Sequence, residues 1–421
     1  MNRQIPIAVA SMLILLPTSL LSAADWTGFR GPTGQGTSEE KGLPVKWSST
    51  ENIVWKVDLP GPGASSPIVV GDKVFVTAYS GYGLKANEGD QKDLRRHLLC
   101  LNRKTGDKLW DKTFEPKLPE HIYAGEGAYQ GYAGNTPVTD GERLYVFFGK
   151  SGVHCFDLEG NEKWHVSVGE GTNGWGSGTS PVLFGNLLIV NASVESSSLV
   201  ALDKKTGEEV WKTKGIGSSW NTPQIAKTKQ GRELVVSIQD WIVGLKPDTG
   251  VELWRAEGVH RYVCPSVVTH DDVVYAIGGG HTSLAVRAGG RGDVSKTHVF
   301  WRVEKGSNVG SPIFDGGNLY WAEDSAGTME CQNAATGEKV YQGRFQPGSG
   351  LIWSSPILAD GKIYVVSQNN GTFVLAAGPK FEQLSHNKFE DDDSRTNASP
   401  AVADGKIYLR TDKRLYCIGG K

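Results

Sequence analysis

The chain has 421 residues, 44 Lys and Arg against 46 Asp and Glu, and a formal net charge of −2. So even a balance, with no basic run interleaved with aromatics, excludes nucleic acid and an anionic membrane surface as partners. The length is ample for a single repeat domain with a continuous core.

At the start, Arg3 precedes an apolar stretch over residues 5–21 that is interrupted by Pro6 and Pro17 and followed by Ser22-Ala23-Ala24. This is the pattern of a secretory leader cleaved after Ala23 or Ala24. Residues 1–24 are therefore assigned to a signal peptide, and the mature protein to the periplasm or the extracellular space. A retained membrane anchor is the competing reading, but the run is short for a span and is broken by proline. No Cys follows it, so no lipid anchor is expected after cleavage. Residues 25–46 form an N-terminal extension, and residues 47–421 form the repeat domain.

Within that domain a Pro-containing step, mostly Ser/Thr-Pro, opens a short apolar run eight times, at Pro67, Pro137, Pro181, Pro223, Pro265, Pro312, Pro356 and Pro400. The intervals are 70, 44, 42, 42, 47, 44 and 44 residues. Self-similarity near this period marks four-stranded blades that bury their faces only by stacking on neighbours, so the expected fold is all-β, an eight-bladed β-propeller. The third repeat shows the order best. Thr179-Ser180-Pro181-Val182-Leu183 and Leu187-Leu188-Ile189-Val190 are followed by Leu199-Val200-Ala201-Leu202, a Thr206-Gly207 turn, and Val210-Trp211. Pro is tolerated at the first residue of a strand, and Gly supplies the positive φ of the tight turn.

The first repeat is longer because of two insertions, residues 79–97 and 115–136, which carry Tyr82, His121, Tyr123, Tyr129 and Tyr132 among many glycines. Strand order puts both on one face, where Tyr-rich loops can recognise a partner or cover a pocket. Further along, each outer strand ends a Thr-Gly turn or its variant with an aromatic: Trp110, Trp164, Trp211, Trp254 and Trp301, with Tyr341 in the sixth repeat. An indole buries a large apolar face and still satisfies its N–H, so these residues are expected to clamp blade to blade. The last repeat supplies only three strands, and residues 52–58 carry Trp55 in the outer-strand position. They are expected to complete the eighth blade and leave no open sheet edge.

Cys100, Cys155, Cys331 and Cys417 occupy the slot that holds Ala201 in the third repeat. They are read as reduced, compact core residues of separate blades, too far apart for disulfides. Cys264, beside Pro265, lies at an inner strand. There is no Cys-x-x-Cys, no His-Glu-x-x-His and no Gly-x-Ser-x-Gly, so no metal site or hydrolase nucleophile is assigned.

The outer turn resembles the tryptophan-docking motif of propeller enzymes that use pyrroloquinoline quinone (PQQ), Ala-x-Asp-x-x-Thr-Gly-x-x-x-Trp, matched in full by Ala201, Asp203, Thr206, Gly207 and Trp211. The resemblance covers nearly the whole mature chain and is nearest to exported PQQ-like repeat proteins of bacteria, a superfamily that also holds BamB of the outer-membrane barrel assembly machinery. Trp26-Thr27-Gly28-Phe29-Arg30-Gly31-Pro32 and Ala285-Val286-Arg287-Ala288-Gly289-Gly290-Arg291-Gly292-Asp293 look like segments of exported planctomycete members. The fold so implied is that of the quinoprotein alcohol dehydrogenases.

The candidate ligand or partner face is the mouth of the ring where the inner strands begin. It gathers Asn135, Trp175, Trp220, Asn221, Arg261, Tyr262, Asn308, Trp353, Arg395 and Asn397, with Asp240, Trp241 and Asp324 from the adjoining turns. Three functions fit these residue types. The first is a monomeric, non-enzymatic scaffold that binds a protein or a polysaccharide through its loops. The second, implied by the resemblance, is a PQQ- and calcium-dependent oxidoreductase, against which stands the missing vicinal Cys-Cys pair of those enzymes. The third is a carbohydrate-binding propeller that uses the aromatics as stacking platforms. The same aromatics also serve to plug the channel, with the amides satisfying backbone groups. No catalytic residue and no cofactor is assigned from the residues alone.

Overall fold

The structure is a computed structural model and describes residues 25–125 and 127–420. The assigned leader, residues 1–24, lies outside the described residues. Eight sheets follow one another around a ring: blade 1 (residues 68–114), blade 2 (138–166), blade 3 (182–214), blade 4 (224–257), blade 5 (268–303), blade 6 (313–344), blade 7 (357–387) and blade 8 (401–418 with 53–58). Blade 3 illustrates the burial pattern. Leu187–Ala192 is buried along its whole length because blades cover both of its faces, whereas the outer strand Glu209–Lys214 buries little more than Trp211.

Ring closure is as expected. Ile53–Asp58 pairs antiparallel with Arg414–Ile418, and Trp55 stands opposite Cys417. The turn before each outer strand forms for a local reason. Asp203 Oδ1 accepts the backbone N–H groups of Lys205 (2.8 Å) and Thr206 (2.9 Å), Glu208 N–H donates to Thr206 Oγ1 (3.2 Å), and Gly207 takes φ +79°. Asn102 and Asn333 organise the same turn in blades 1 and 6.

Five such turns receive the indole of the preceding blade. Nε1 of Trp55, Trp110, Trp164, Trp211 and Trp301 donates to Arg103 O (2.9 Å), Leu158 O (3.3 Å), Lys204 O (3.2 Å), Pro247 O (2.9 Å) and Ala334 O (3.0 Å), respectively. Trp254 departs from this expectation. Its Nε1 donates to the buried Glu233 carboxylate of its own blade at 2.7 Å. The cause is Gly244, which stands opposite Trp254 where six other blades carry Cys or Ala, and where a Cβ would lie 2.1 Å from the ring. The vacated rim is covered by Gly292–Asp293, parallel to the outer strand, while Gly289 N–H donates to Glu233 at 3.0 Å.

All five cysteines are free, and Cys100, Cys155, Cys331 and Cys417 are buried opposite these outer-strand aromatics. Burial pushes the thiols of Cys100, Cys331 and Cys417 up to about 12 and that of Cys155 to about 11. Thiolates are therefore scarce at neutral pH. Iodoacetamide at pH 8 is expected to label at most Cys264 in the native protein and all five after denaturation without reductant. A second native label is the result that would count against this register.

The inner strands are joined by a belt of hydroxyls. The backbone N–H of Ser66 donates to Thr136 Oγ1 (2.9 Å), Thr136 N–H to Ser180 Oγ (3.0 Å), and Ser180 N–H to Thr222 Oγ1 (3.1 Å). The series continues from Thr222 to Ser266, Ser311, Ser355 and Ser399 at 2.8–3.0 Å. It corrects the anchor of blade 5. The repeating element is the hydroxyl, which in blade 5 is Ser266, so the position of the other prolines is held by Val267 and not by Pro265.

Residues 25–46 cross the face opposite the mouth. Trp26 bridges Val69 of blade 1, Gln35 accepts from Thr269 N–H of blade 5 at 2.9 Å, and Thr37–Ser38 pairs parallel with the inner strand of blade 7. Arg30 is fully buried on this path and donates to the carbonyls of Gln35 and Pro312.

Candidate functional site

At the mouth, Trp175, Tyr262, Asn308, Asp324 and Trp353, with Cys264 and Gln130, line a chamber of about 100 Å³. Below it, Trp220, Trp353 and Asn397 share a second chamber of about 80 Å³ with the hydroxyl belt, and Phe29 of the N-terminal segment lines it as well. The aromatics contact one another. Trp175 meets Tyr262 edge-on at 4.5 Å and Trp220 at 5.7 Å, and Trp220 Nε1 donates to Gly176 O at 2.8 Å. Asn308 is held by Asp324, its N–H at 3.1 Å and its Nδ2 at 3.2 Å.

The remaining sequence candidates sit elsewhere. Asn221 is buried and its Nδ2 donates to Ser219 Oγ (2.9 Å) and Ser237 O (2.6 Å), a backbone-satisfying role. Asp240 faces outward beside His260 at 3.2 Å, Trp241 lies 5.1 Å beneath the Arg255 guanidinium, and Arg261 is exposed. Arg395 pairs with Asp412 at 3.0 Å and reaches across to Tyr123 Oη (3.3 Å) and Ala128 O (3.4 Å), tying the second insertion over the mouth. Tyr79, Tyr82, Tyr123 and Tyr132 are buried in a small core of their own, so these four tyrosines face inward. Leu84, Leu118 and Ile122 of the same insertions are 54%, 45% and 65% exposed.

A flat, three-carboxylate cofactor with its calcium ion needs a cleft of roughly 300 Å³ or more. Neither chamber offers that space, Arg261 lines neither of them, and among the described residues no three His, Cys, Asp or Glu are grouped to hold a metal ion. The residues at the mouth do not fit PQQ with calcium in this geometry. A broader hollow of about 630 Å³ opens on the opposite face, between the N-terminal segment and the inner strands of blades 2 to 4.

Asn135 belongs to a different pocket, one that sequence reasoning missed. It is lined by Arg96, Glu120 and His121 of the first repeat, Gly149 and Lys150 of blade 2, residues 171–173, 176 and 177, and Glu195 from the one-turn helix Ser193–Ser196 of blade 3. No periodic signal marks it, because its parts lie outside the repeating pattern.

A closed ring of eight four-stranded blades with inner-strand anchors and outer indoles defines the class of PQQ-repeat propellers. Within it, the family model described as outer membrane protein assembly factor BamB matches residues 94–343, more than half of the chain, and the chain belongs to that family. A comparison with curated protein sequences finds no match. Among solved structures, BamB from Moraxella catarrhalis is similar at TM-score 0.62 and 15% identity, over 88% of this chain and 97% of that one. Quinohemoprotein alcohol dehydrogenase from Comamonas testosteroni is similar at TM-score 0.66 and 12% identity, over 94% and 81%. A europium-containing methanol dehydrogenase gives 0.63 and 11%, over 95% and 98%. At such identities these likenesses concern the fold.

Proposed function

We propose that the protein is an exported, non-enzymatic scaffold that binds a protein partner on its mouth face. The observation that carries this reading is the packing of the two insertions. They bury Tyr79, Tyr82, Tyr123 and Tyr132, are tied to the mouth through Arg395, and leave Leu84, Leu118 and Ile122 exposed. Exposed apolar side chains of this kind suit a protein interface better than a small-molecule cleft. Membership of the BamB family supports a role in protein–protein contact and is consistent with export.

The test places a photo-crosslinking residue at Ile122 or at Leu84 in cells, with Val251, 58% exposed on the ring's periphery, as control. One defined protein adduct at 122 and 84, absent at 251, is expected. Adducts at all three positions, or none, would overturn the reading. Titration with PQQ and calcium, followed by tryptophan fluorescence and dye-linked alcohol oxidation, tests the oxidoreductase alternative. Saturable quenching with turnover would replace the scaffold.

A further inference from the structure

We propose that the pocket beneath residues 169–177 is a binding site for a primary ammonium group, whose natural source is a lysine side chain of the bound partner. The source rests on the scaffold reading, whereas the recognition of an amine rests on the pocket alone.

Glu195 and His121 are 5% and 8% exposed, and neither carboxylate oxygen of Glu195 nor Nε2 of His121 has a hydrogen-bond partner of normal geometry. Buried acceptors left unmade are costly, so a group that satisfies them is bound with that free energy. Glycines keep the space open. A Cβ at Gly149 would lie 3.1 Å from Glu195 Oε1, and one at Gly176 would lie 2.8 Å from the His121 ring. The pocket has room, about 20 Å³, for one water-sized group, and an ammonium head is of that size.

Charge selects the cation. Arg96 is cancelled by Glu120 at 2.7 Å, both nearly fully buried, and Arg96 also donates to Tyr132 O at 2.9 Å. Lys150 at the rim is turned away onto Pro119 O at 3.1 Å, and Lys117 pairs with Glu170 at 2.7 Å. An ionised Glu195 is then the unbalanced charge in the pocket. An ammonium brings three N–H donors to a pocket lined by the Glu195 carboxylate and the His121 ring nitrogen, whereas an alcohol offers a single donor. Burial, partly offset by its own backbone N–H and the Ser177 hydroxyl, raises the Glu195 carboxyl to about 7. Burial, then the nearby Arg96, lowers His121 to about 4, so the imidazole is neutral at pH 7. Below pH 7 a bound cation must therefore displace the Glu195 proton.

The experiment is calorimetric titration of the whole mature chain with n-butylammonium between pH 6 and pH 8.5, in buffers of different ionisation enthalpy. Saturable one-to-one binding is expected, with close to one proton released per ligand at pH 6 and almost none at pH 8.5. Affinity should rise about tenfold per pH unit up to pH 7 and then level off. Glu195→Gln should weaken binding at least tenfold, and 1-butanol should not bind. Absence of saturation, binding without proton release, or equal binding of 1-butanol would overturn the site; proton release is read on the unaltered chain and so does not depend on how the variant folds. Crosslinking at Ile122 reports separately on the scaffold. Amine binding without a protein adduct would leave this pocket standing and remove only the lysine source, whereas an adduct without amine binding would remove only the pocket.

Discussion

A chain expressed from residue 60 onward is expected to aggregate and to lose its cooperative unfolding transition, whereas a chain from residue 47 onward is expected to fold as a less stable monomer. The shorter chain leaves the strand Arg414–Ile418 without its outer partner, deletes the Trp55 contact with the Arg103 turn, and exposes an unpaired edge. The lost burial of Trp55, Ile53 and Val57, together with a row of ladder bonds, is comparable to the ~5–15 kcal/mol that holds an ordinary domain together. The longer chain keeps the ring and gives up only the segment across the far face, including Trp26 and Leu43. Light scattering after size exclusion, together with urea unfolding, separates the two outcomes. A monomeric, cooperative chain from residue 60 would show that closure contributes little.

Trp211→Ala is expected to lower the unfolding free energy by about 3–5 kcal/mol, the usual cost of truncating a buried tryptophan. Its ring lies against Gly250 of the next blade, where a Cβ would come within 2.4 Å, and its Nε1 donates to Pro247 O at 2.9 Å. Trp211→Phe keeps much of the apolar contact and loses the hydrogen bond, so about half of that cost or less is expected. Urea unfolding followed by circular dichroism gives both values. A Trp211→Ala loss below about 1 kcal/mol would mean that the indole is not a joint between blades.

The closing strand was legible because its signal is shared. A small residue on the third strand and an aromatic on the fourth recur as Cys100 with Trp110 and Ala201 with Trp211, and the same pair is split between the ends of the chain as Cys417 with Trp55. Where the local chemistry changed, reading by pattern failed. Gly244 passes for another small residue in sequence, yet removing one Cβ lets Trp254 turn into its own blade. Pro265 resembles the other anchors, but the conserved interaction of the belt is a hydroxyl accepting a backbone N–H, which only Ser266 supplies in blade 5. At the mouth, Trp175, Tyr262, Asn308, Asp324 and Trp353 come together because each leads into an inner strand or sits in an adjoining turn close to the axis. Asp240, Trp241 and Arg261 line neither chamber, since the side of the loop on which a residue stands is set by turn geometry that spacing does not encode. The pocket of Glu195 and His121 was out of reach, being assembled from several segments that lie outside the repeating pattern.

The hydroxyl belt has seven formed links among the described residues, and at the eighth, between blades 8 and 1, Ser66 Oγ is buried without a partner. There Arg410, itself fully buried, reaches from blade 8 to the carbonyls of Thr77 and Gly61 in the first repeat. A hydroxyl joint has one length and fixes one angle between neighbours. A guanidinium on a long stem tolerates a wider range of distances than a hydroxyl, so the joint between blades 8 and 1 is the one whose spacing adjusts most readily.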